Sequence, residues 1–168
     1  MRILIANDKF KGALAAENVG FHLKKGLEKA FPGASFDLCP IADGGEGTAR
    51  AMTTALGGVW TSCATIDAQG RPVEAGFGWV AASATAVMEM SAASGLALVE
   101  DIDLNPMQAS TLGTGNLLLS AHRNGARRIL IGIGGSATND GGLGVAVALG
   151  YQFKQDGRAF TPTLATLL

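Results

Sequence analysis

Three loops of this chain concentrate the side chains that could do chemistry. The first loop reads NDKFKG (7–12) and the second reads ADGGEGT (42–48). The third, IGIGGSATNDGG (131–142), holds five glycines together with Ser, Thr, Asn and Asp. A weaker fourth candidate is STLGTGN (110–116), where two glycines flank a threonine. Glycine-rich loops let the backbone approach a ligand closely and turn its N–H groups toward an anion.

The chemistry that these residue types favour is phosphoryl transfer, which needs mainly positioning and charge neutralisation. Backbone N–H groups of the glycine loops and of helix N-termini can hold phosphate oxygens. Lys11 or Lys9 can neutralise the charge of the transferred group. One of the carboxylates of Asp43, Glu46 and Asp140 can hold Mg²⁺ or accept the proton of an attacking hydroxyl.

The candidate site therefore draws on all four loops. Its candidate catalytic residues are Asp43, Lys11 and Asp140, and its candidate metal ligands are Asp43 and Glu46. The residues expected to bind substrate or nucleotide are Asp8, Lys9, Gly44, Gly45, Glu46, Gly47, Thr48, Gly113, Thr114, Gly134, Gly135, Ser136, Thr138, Asn139 and Gly141. Any one loop alone is equally typical of turn building and helix capping. The three main loops together, at one edge of a sheet, favour a shared ligand site.

Two known phosphate-binding loops provide a test of the third loop. The Walker A pattern G-x-x-x-x-G-K-[ST] does not occur in the sequence, which excludes a P-loop. The dinucleotide pattern G-x-G-x-x-G/A is met by Gly132, Gly134 and Ala137, with Asp156 further along the chain. A dinucleotide-binding protein therefore remains a weaker alternative, because polar residues delay the next helix and the pattern does not follow the first strand.

Alternating apolar strands and amphipathic helices must position these loops. Hydrophobic periodicity predicts strands at 2–7, 35–42, 85–91 and 126–134, and helices at 15–30, 48–56, 114–124 and 140–149. The region between 59 and 91 predicts two β segments in hairpin order. We therefore expect an α/β fold, with a largely parallel sheet, flanking helices and an inserted β-hairpin region.

Composition narrows the class of protein. The 168 residues fit one domain or most of one, and 48% are apolar and 16% charged, which suits a sheet buried on both faces. A net charge of −1 gives no electrostatic footprint for nucleic acid or an anionic membrane. We expect a cytoplasmic protein, since neither a membrane-spanning run nor a signal peptide is present in the sequence. Glu89 lies between apolar neighbours, and a buried carboxylate needs a partner.

Five segments of the chain resemble the bacterial type I glycerate kinases. They are ANDKFKGALAAENV (6–19), PIADGGEGTARAM (40–52), TAVMEMSAASGL (85–96), STLGTGNLLLSA (110–121) and IGIGGSATNDGGLG (131–144), in the order of the family. The resemblance implies transfer of the γ-phosphoryl group of ATP to a hydroxyl of D-glycerate, with Mg²⁺. The implied product is 2-phosphoglycerate, or 3-phosphoglycerate in an older description of the family. The alternative is a non-catalytic remnant of such a kinase that binds nucleotide or sugar acid.

The resemblance also implies a two-domain α/β architecture with its active site between the domains. We expect residues 1–58 to form an N-terminal Rossmann-like portion, and 59–168 a second α/β portion that is incomplete at its C-terminus. The chain has under half of the usual family length, so we expect a truncated chain. It would be completed by a complementing C-terminal chain or act as a homo-oligomer. The first loop departs from the family's PDSFKGS at Asn7, Lys9 and Ala13, but keeps Asp8 and Lys11.

Overall fold

The computed structural model of the protein describes residues 1–102 and 104–167. The chain forms two compact units, Met1–Asp43 and Gly44–Leu168. The helix that begins at Thr48 therefore belongs to the second unit. The predicted domain ranges 1–58 and 59–168 stay a prediction.

The first unit is a β-α-β arrangement. Strand β1 (Arg2–Ile5) leads through the first loop to helix α1 (Ala16–Ala30), and strand β2 (Ser35–Leu38) pairs with β1 in parallel. Helix α1 buries Val19 at 4% exposure, and β1 buries Ile5 at 5%. This connection places the first loop at the carboxyl end of β1, as the sequence predicts.

The second unit is built on a four-stranded sheet in the order β3-β4-β5-β6. These strands are β3 (Val59–Ile66), β4 (Pro72–Val80), β5 (Thr85–Glu89) and β6 (Arg128–Gly132). The pairings β3–β4 and β4–β5 are antiparallel, and β5–β6 is parallel. Its core centres on the fully buried side chains of Phe77, Met88 and Leu117.

Helices cover this sheet and carry the loops. They are α2 (Thr48–Ala55), the short α3 (Ser91–Ser94), α4 (Leu112–Arg123) and α5 (Leu143–Ala148). Helix α2 contacts β4 and β5, and α4 packs on α5. A small hairpin of β7 (Phe153–Gln155) and β8 (Arg158–Phe160) and the short helix α6 (Leu164–Leu167) follow. Among the described residues, no helix is long and apolar enough to cross a membrane.

The α/β class, the flanking helices and the inserted hairpin are confirmed, but the parallel share of the sheet is smaller than expected. Only the short segment 81–84 joins β4 to β5, so these strands must be antiparallel. The longer crossover through α3 and α4 allows β5 and β6 to be parallel. Helix α5 begins later than predicted, because Gly141 and Gly142 adopt left-handed φ angles of 62° and 84°.

Candidate functional site

The third glycine loop packs its backbone directly on the second. The Gly134 N–H donates a hydrogen bond to the Gly44 carbonyl at 2.9 Å. A Cβ added to Gly134 would lie 2.8 Å from the Gly45 nitrogen, and one on Gly132 would lie 2.5 Å from the Gly44 oxygen. Glycine is therefore needed at both positions because two backbone segments meet there, independently of any ligand.

Several amides predicted to hold phosphate are engaged within the loops themselves. The Gly44 N–H donates to the Thr48 hydroxyl at 3.1 Å, and the Gly134 N–H is used as described above. The Gly47 N–H donates to Glu89 Oε1 at 3.1 Å. These contacts give the second and third loops a fixed shape. They also remove three amides from the set available to a phosphate.

Glu89 is a structural residue that is not among the site residues predicted from the sequence. Its carboxylate, 8% exposed, accepts hydrogen bonds from Gly47 N–H and, at 2.8 Å, from Ala49 N–H. It thereby caps the N-terminal turn of α2, whose preceding residue Gly47 has a φ of 91°. The apolar neighbours of Glu89 indicated that it needs a partner, but the partner lies 40 residues away in the chain.

Asp140 joins the starts of two helices. Its carboxylate is 4% exposed and accepts backbone hydrogen bonds from Thr111 at 2.8 Å, Gly142 at 3.0 Å and Gly144 at 3.0 Å. The Thr111 hydroxyl also donates to it and accepts a bond from Val145 N–H at 3.1 Å. Asp140 is one of the catalytic candidates of the sequence. In this geometry its carboxylate holds the starts of α4 and α5 in position.

A cavity of about 560 Å³ opens in the second unit beside these helix starts. Its apolar wall consists of Met90, Leu118, Ile131, Ile133 and Val145. Its polar part consists of Thr111, Thr114, Ser136, Thr138, Asn139 and Asp140, together with Gly141 and Gly142. The structure therefore brings together six of the predicted residues, from the third and fourth loops: Thr114, Ser136, Thr138, Asn139, Asp140 and Gly141.

The polar groups of the cavity differ in accessibility. Thr114 is buried, and its hydroxyl lies 2.7 Å from that of Ser94. Ser136 and Thr138 form a hydroxyl pair, also 2.7 Å apart, and Thr138 N–H donates to Ser136 Oγ at 3.1 Å. Asn139 is exposed at the rim. The rim can therefore offer hydrogen bonds to a ligand, whereas Thr114 serves chiefly to fix the local structure.

Two further glycine candidates serve close packing. A Cβ on Gly113 would overlap the Ile66 carbonyl oxygen, because the start of α4 lies against β3. Gly135 has a φ of 71°, and a Cβ there would lie 2.6 Å from Glu46 Oε1. The Glu46 carboxylate thus lies against the third loop.

The first unit gathers its own group of charged residues. Lys9 Nζ lies 3.4 Å from Asp43 Oδ1 and 4.0 Å from Asp8 Oδ1, and Lys9 N–H donates to Asp8 Oδ1 at 2.6 Å. Lys11 lies exposed in the turn closed by reciprocal backbone bonds between Phe10 and Leu14. The first unit therefore groups Asp8 and Lys9 of the first loop with Asp43, and presents Lys11 separately.

The metal-binding role of Asp43 and Glu46 stays a prediction. Lys9 Nζ lies within 4.0 Å of a carboxylate oxygen of Asp8 and of Asp43. Over residues 1–102 and 104–167, no group of three His, Cys, Asp or Glu side chains is placed to bind a metal ion.

The dinucleotide alternative does not fit the third loop. That fingerprint places a pyrophosphate on a helix that begins within the glycines. Here α5 begins only at Leu143, and the Gly134 N–H is bonded to Gly44.

These features define an α/β protein whose glycine-rich loops follow β-strands. A sequence model described as the glycerate kinase family matches residues 3–168, and the chain belongs to this family. It is 46% identical over 150 residues to a Bacillus subtilis protein named glycerate kinase, covering 89% of the chain and 39% of that protein. It is 45% identical over 150 residues to the glycerate 2-kinase of Escherichia coli, with the same coverage of both chains.

A solved structure supports the same assignment. A crystal structure from Salmonella typhimurium LT2, assigned as a glycerate kinase 2, matches with a TM-score of 0.80 and 38% identity. The match covers 96% of the present chain and 44% of the Salmonella chain. The resemblance noted in the sequence is thus confirmed at the level of family. The chain spans about 40% of the length of these curated relatives.

Proposed function

We propose that the chain acts in a glycerate kinase, which transfers the γ-phosphoryl group of ATP to a hydroxyl of D-glycerate. The observation that carries the proposal is the family match over residues 3–168, which includes every loop of the candidate site. We further propose 2-phosphoglycerate as the product, in line with the name of the Escherichia coli relative. Mg²⁺ would enter with ATP, since phosphates and water supply most of its ligands in such sites.

Within this proposal, Asp43 is the carboxylate that accepts the proton of the attacking hydroxyl. Its side chain is 68% exposed, so a substrate can reach it, and Lys9 Nζ lies 3.4 Å from its Oδ1. Lys11, at the exposed turn of the first loop, would contact a phosphate. Asp140 would act as a positioning residue, because its carboxylate is already bonded to the starts of α4 and α5.

Turnover tests the proposal directly. ADP release should require both ATP and D-glycerate, measured with the chain alone and with the remaining segment of the Bacillus subtilis relative added. Enolase converts 2-phosphoglycerate directly, whereas 3-phosphoglycerate needs a mutase first, so omitting the mutase identifies the product. Nucleotide binding without turnover in both mixtures would favour the non-catalytic remnant.

Replacing Asp43 tests its role as the base. Asp43→Asn should lower kcat by about 10²–10⁴-fold, the usual contribution of general base catalysis, and leave the fold intact. Glu17→Gln, an exposed carboxylate change on α1 in the same unit, is the matched control and should leave kcat unchanged. An unchanged kcat for Asp43→Asn would show that Asp43 is not the catalytic base.

A further inference from the structure

The cavity of the second unit has the form of a small-molecule site. Its volume of about 560 Å³ falls within the range of about 300–1,000 Å³ that is typical of such sites. Five apolar side chains form its wall, and they come from the β5–α3 junction, α4, β6, the third loop directly after β6, and α5. All of its lining residues belong to one compact unit, so the shape of the cavity is a property of that unit alone.

The charge of the lining selects the kind of ligand. Among its described lining residues there is no Lys, Arg or His, and Asp140 is the one ionisable side chain. The Asp140 carboxylate already accepts three backbone hydrogen bonds and one from the Thr111 hydroxyl. The carboxylate of glycerate, or a phosphate, would therefore find no counter-charge here and would lose its hydration. A neutral group suits the cavity better.

The rim adds specific hydrogen-bonding groups to this apolar wall. Ser136 and Thr138 hold their hydroxyls 2.7 Å apart in an exposed position, and Asn139 lies exposed beside them. A neutral ligand with a flat apolar body and polar edges would match such a site. The base and ribose of a nucleoside have this chemistry, whereas glycerate is too small and too polar to fill the cavity.

We propose that this cavity binds the adenosine part of ATP, with the phosphates lying outside it. The assignment rests on the proposed function for the presence of ATP, and on the cavity itself for the position of the nucleoside. Ile131 and Ile133 would cover the face of the base, and the Ser136–Thr138 hydroxyl pair would bond to polar edges of the ligand. The solvent-exposed fractions of Ile131 and Ile133, 39% and 73%, would then decrease when the ligand binds.

Adenosine itself is the probe, because it lacks the phosphates and cannot support turnover. Titration calorimetry with the 168-residue chain should give saturable adenosine binding that ATP competes away. Ile133→Ala removes apolar contact at an exposed position and should weaken both adenosine and ATP binding by about five- to tenfold. Val59→Ala, at a 63% exposed position on β3 outside the cavity, is the matched control and should change neither affinity.

The outcomes separate this inference from the proposed function. If the folded chain binds no adenosine, or if Ile133→Ala leaves adenosine and ATP affinity unchanged, the cavity is not the nucleoside site. If Ile133→Ala weakens D-glycerate binding instead, the assignment is overturned in favour of the acceptor. Turnover without adenosine binding would refute the inference alone. Adenosine binding without turnover would support it and count against catalysis by the chain.

Discussion

Replacing Asp140 by asparagine tests whether this carboxylate is structural. Oδ2 accepts the N–H groups of Thr111 and Gly144, at 2.8 and 3.0 Å, and Oδ1 accepts that of Gly142 at 3.0 Å. Asparagine keeps one oxygen and puts an NH₂ group at the other position. In either orientation of the amide, at least one backbone N–H then faces a donor.

The expected cost follows from these contacts. A hydrogen bond to a charged group contributes about 1.5–3 kcal/mol, and a buried donor left without an acceptor costs about 1–3 kcal/mol. Because asparagine retains part of the network, we expect Asp140→Asn to lower the free energy of unfolding by about 2–4 kcal/mol. This is a large share of the roughly 5–15 kcal/mol that usually stabilises a folded domain.

Urea unfolding, followed by circular dichroism, measures this change. The matched control is Asp156→Asn, since Asp156 is exposed and its φ of 50° is one that asparagine tolerates well. The control should lie within about 0.5 kcal/mol of the unsubstituted chain. If Asp140→Asn changes the free energy of unfolding as little as the control does, the hydrogen bonds to Asp140 do not hold α4 and α5 in place. That result would favour a catalytic role for Asp140 instead.

Two further substitutions test the loop packing and an ion-pair network. Gly134→Ala should destabilise by about 1–3 kcal/mol in the same unfolding assay, because its Cβ would lie 2.8 Å from the Gly45 nitrogen. Gly26→Ala, with open space around the added Cβ in α1, should be neutral or stabilising, and an equal loss in both would refute the packing argument. Burial raises the pKa of Asp67, but hydrogen bonds from Arg71 and the Gln69 amide outweigh it and hold that pKa below its usual value. The stability that ionised Asp67 contributes is therefore complete above about pH 5 and is lost as pH falls through its folded pKa, so the deficit of Asp67→Asn should shrink on acidification. A deficit that stays constant down to pH 2 would contradict this sign.

The sequence predicted the positions of the loops well, because local patterns determine them. Glycine and polar residues directly after an apolar run indicate the end of a strand, and the first and third loops do follow β1 and β6. The hairpin could be predicted equally well, because its turn residues lie between two β-rich segments. Helix α5 was placed too early, because the left-handed conformation of Gly141 and Gly142 depends on the fold around Asp140.

The roles of individual loop residues could not be predicted, because they depend on partners distant in the chain. A glycine that approaches a phosphate and a glycine that approaches another backbone look identical in sequence. Gly134 meets Gly44 and Gly45 only after both loops are folded. Likewise, nothing local to Asp140 indicates that Thr111, 29 residues earlier, will donate to it.

These contacts change how the glycine-rich signature of the second unit is interpreted. If its glycines served a phosphate alone, their amides would point away from the protein, whereas those of Gly44, Gly47 and Gly134 have acceptors within it. The signature therefore encodes a rigid junction in which the two loops, α2 and β5 are bonded to one another. Its polar members, Ser136, Thr138 and Asn139, are held at the rim of a cavity whose described lining has no basic side chain. The two candidate lysines, Lys9 and Lys11, belong to the first loop and not to this signature.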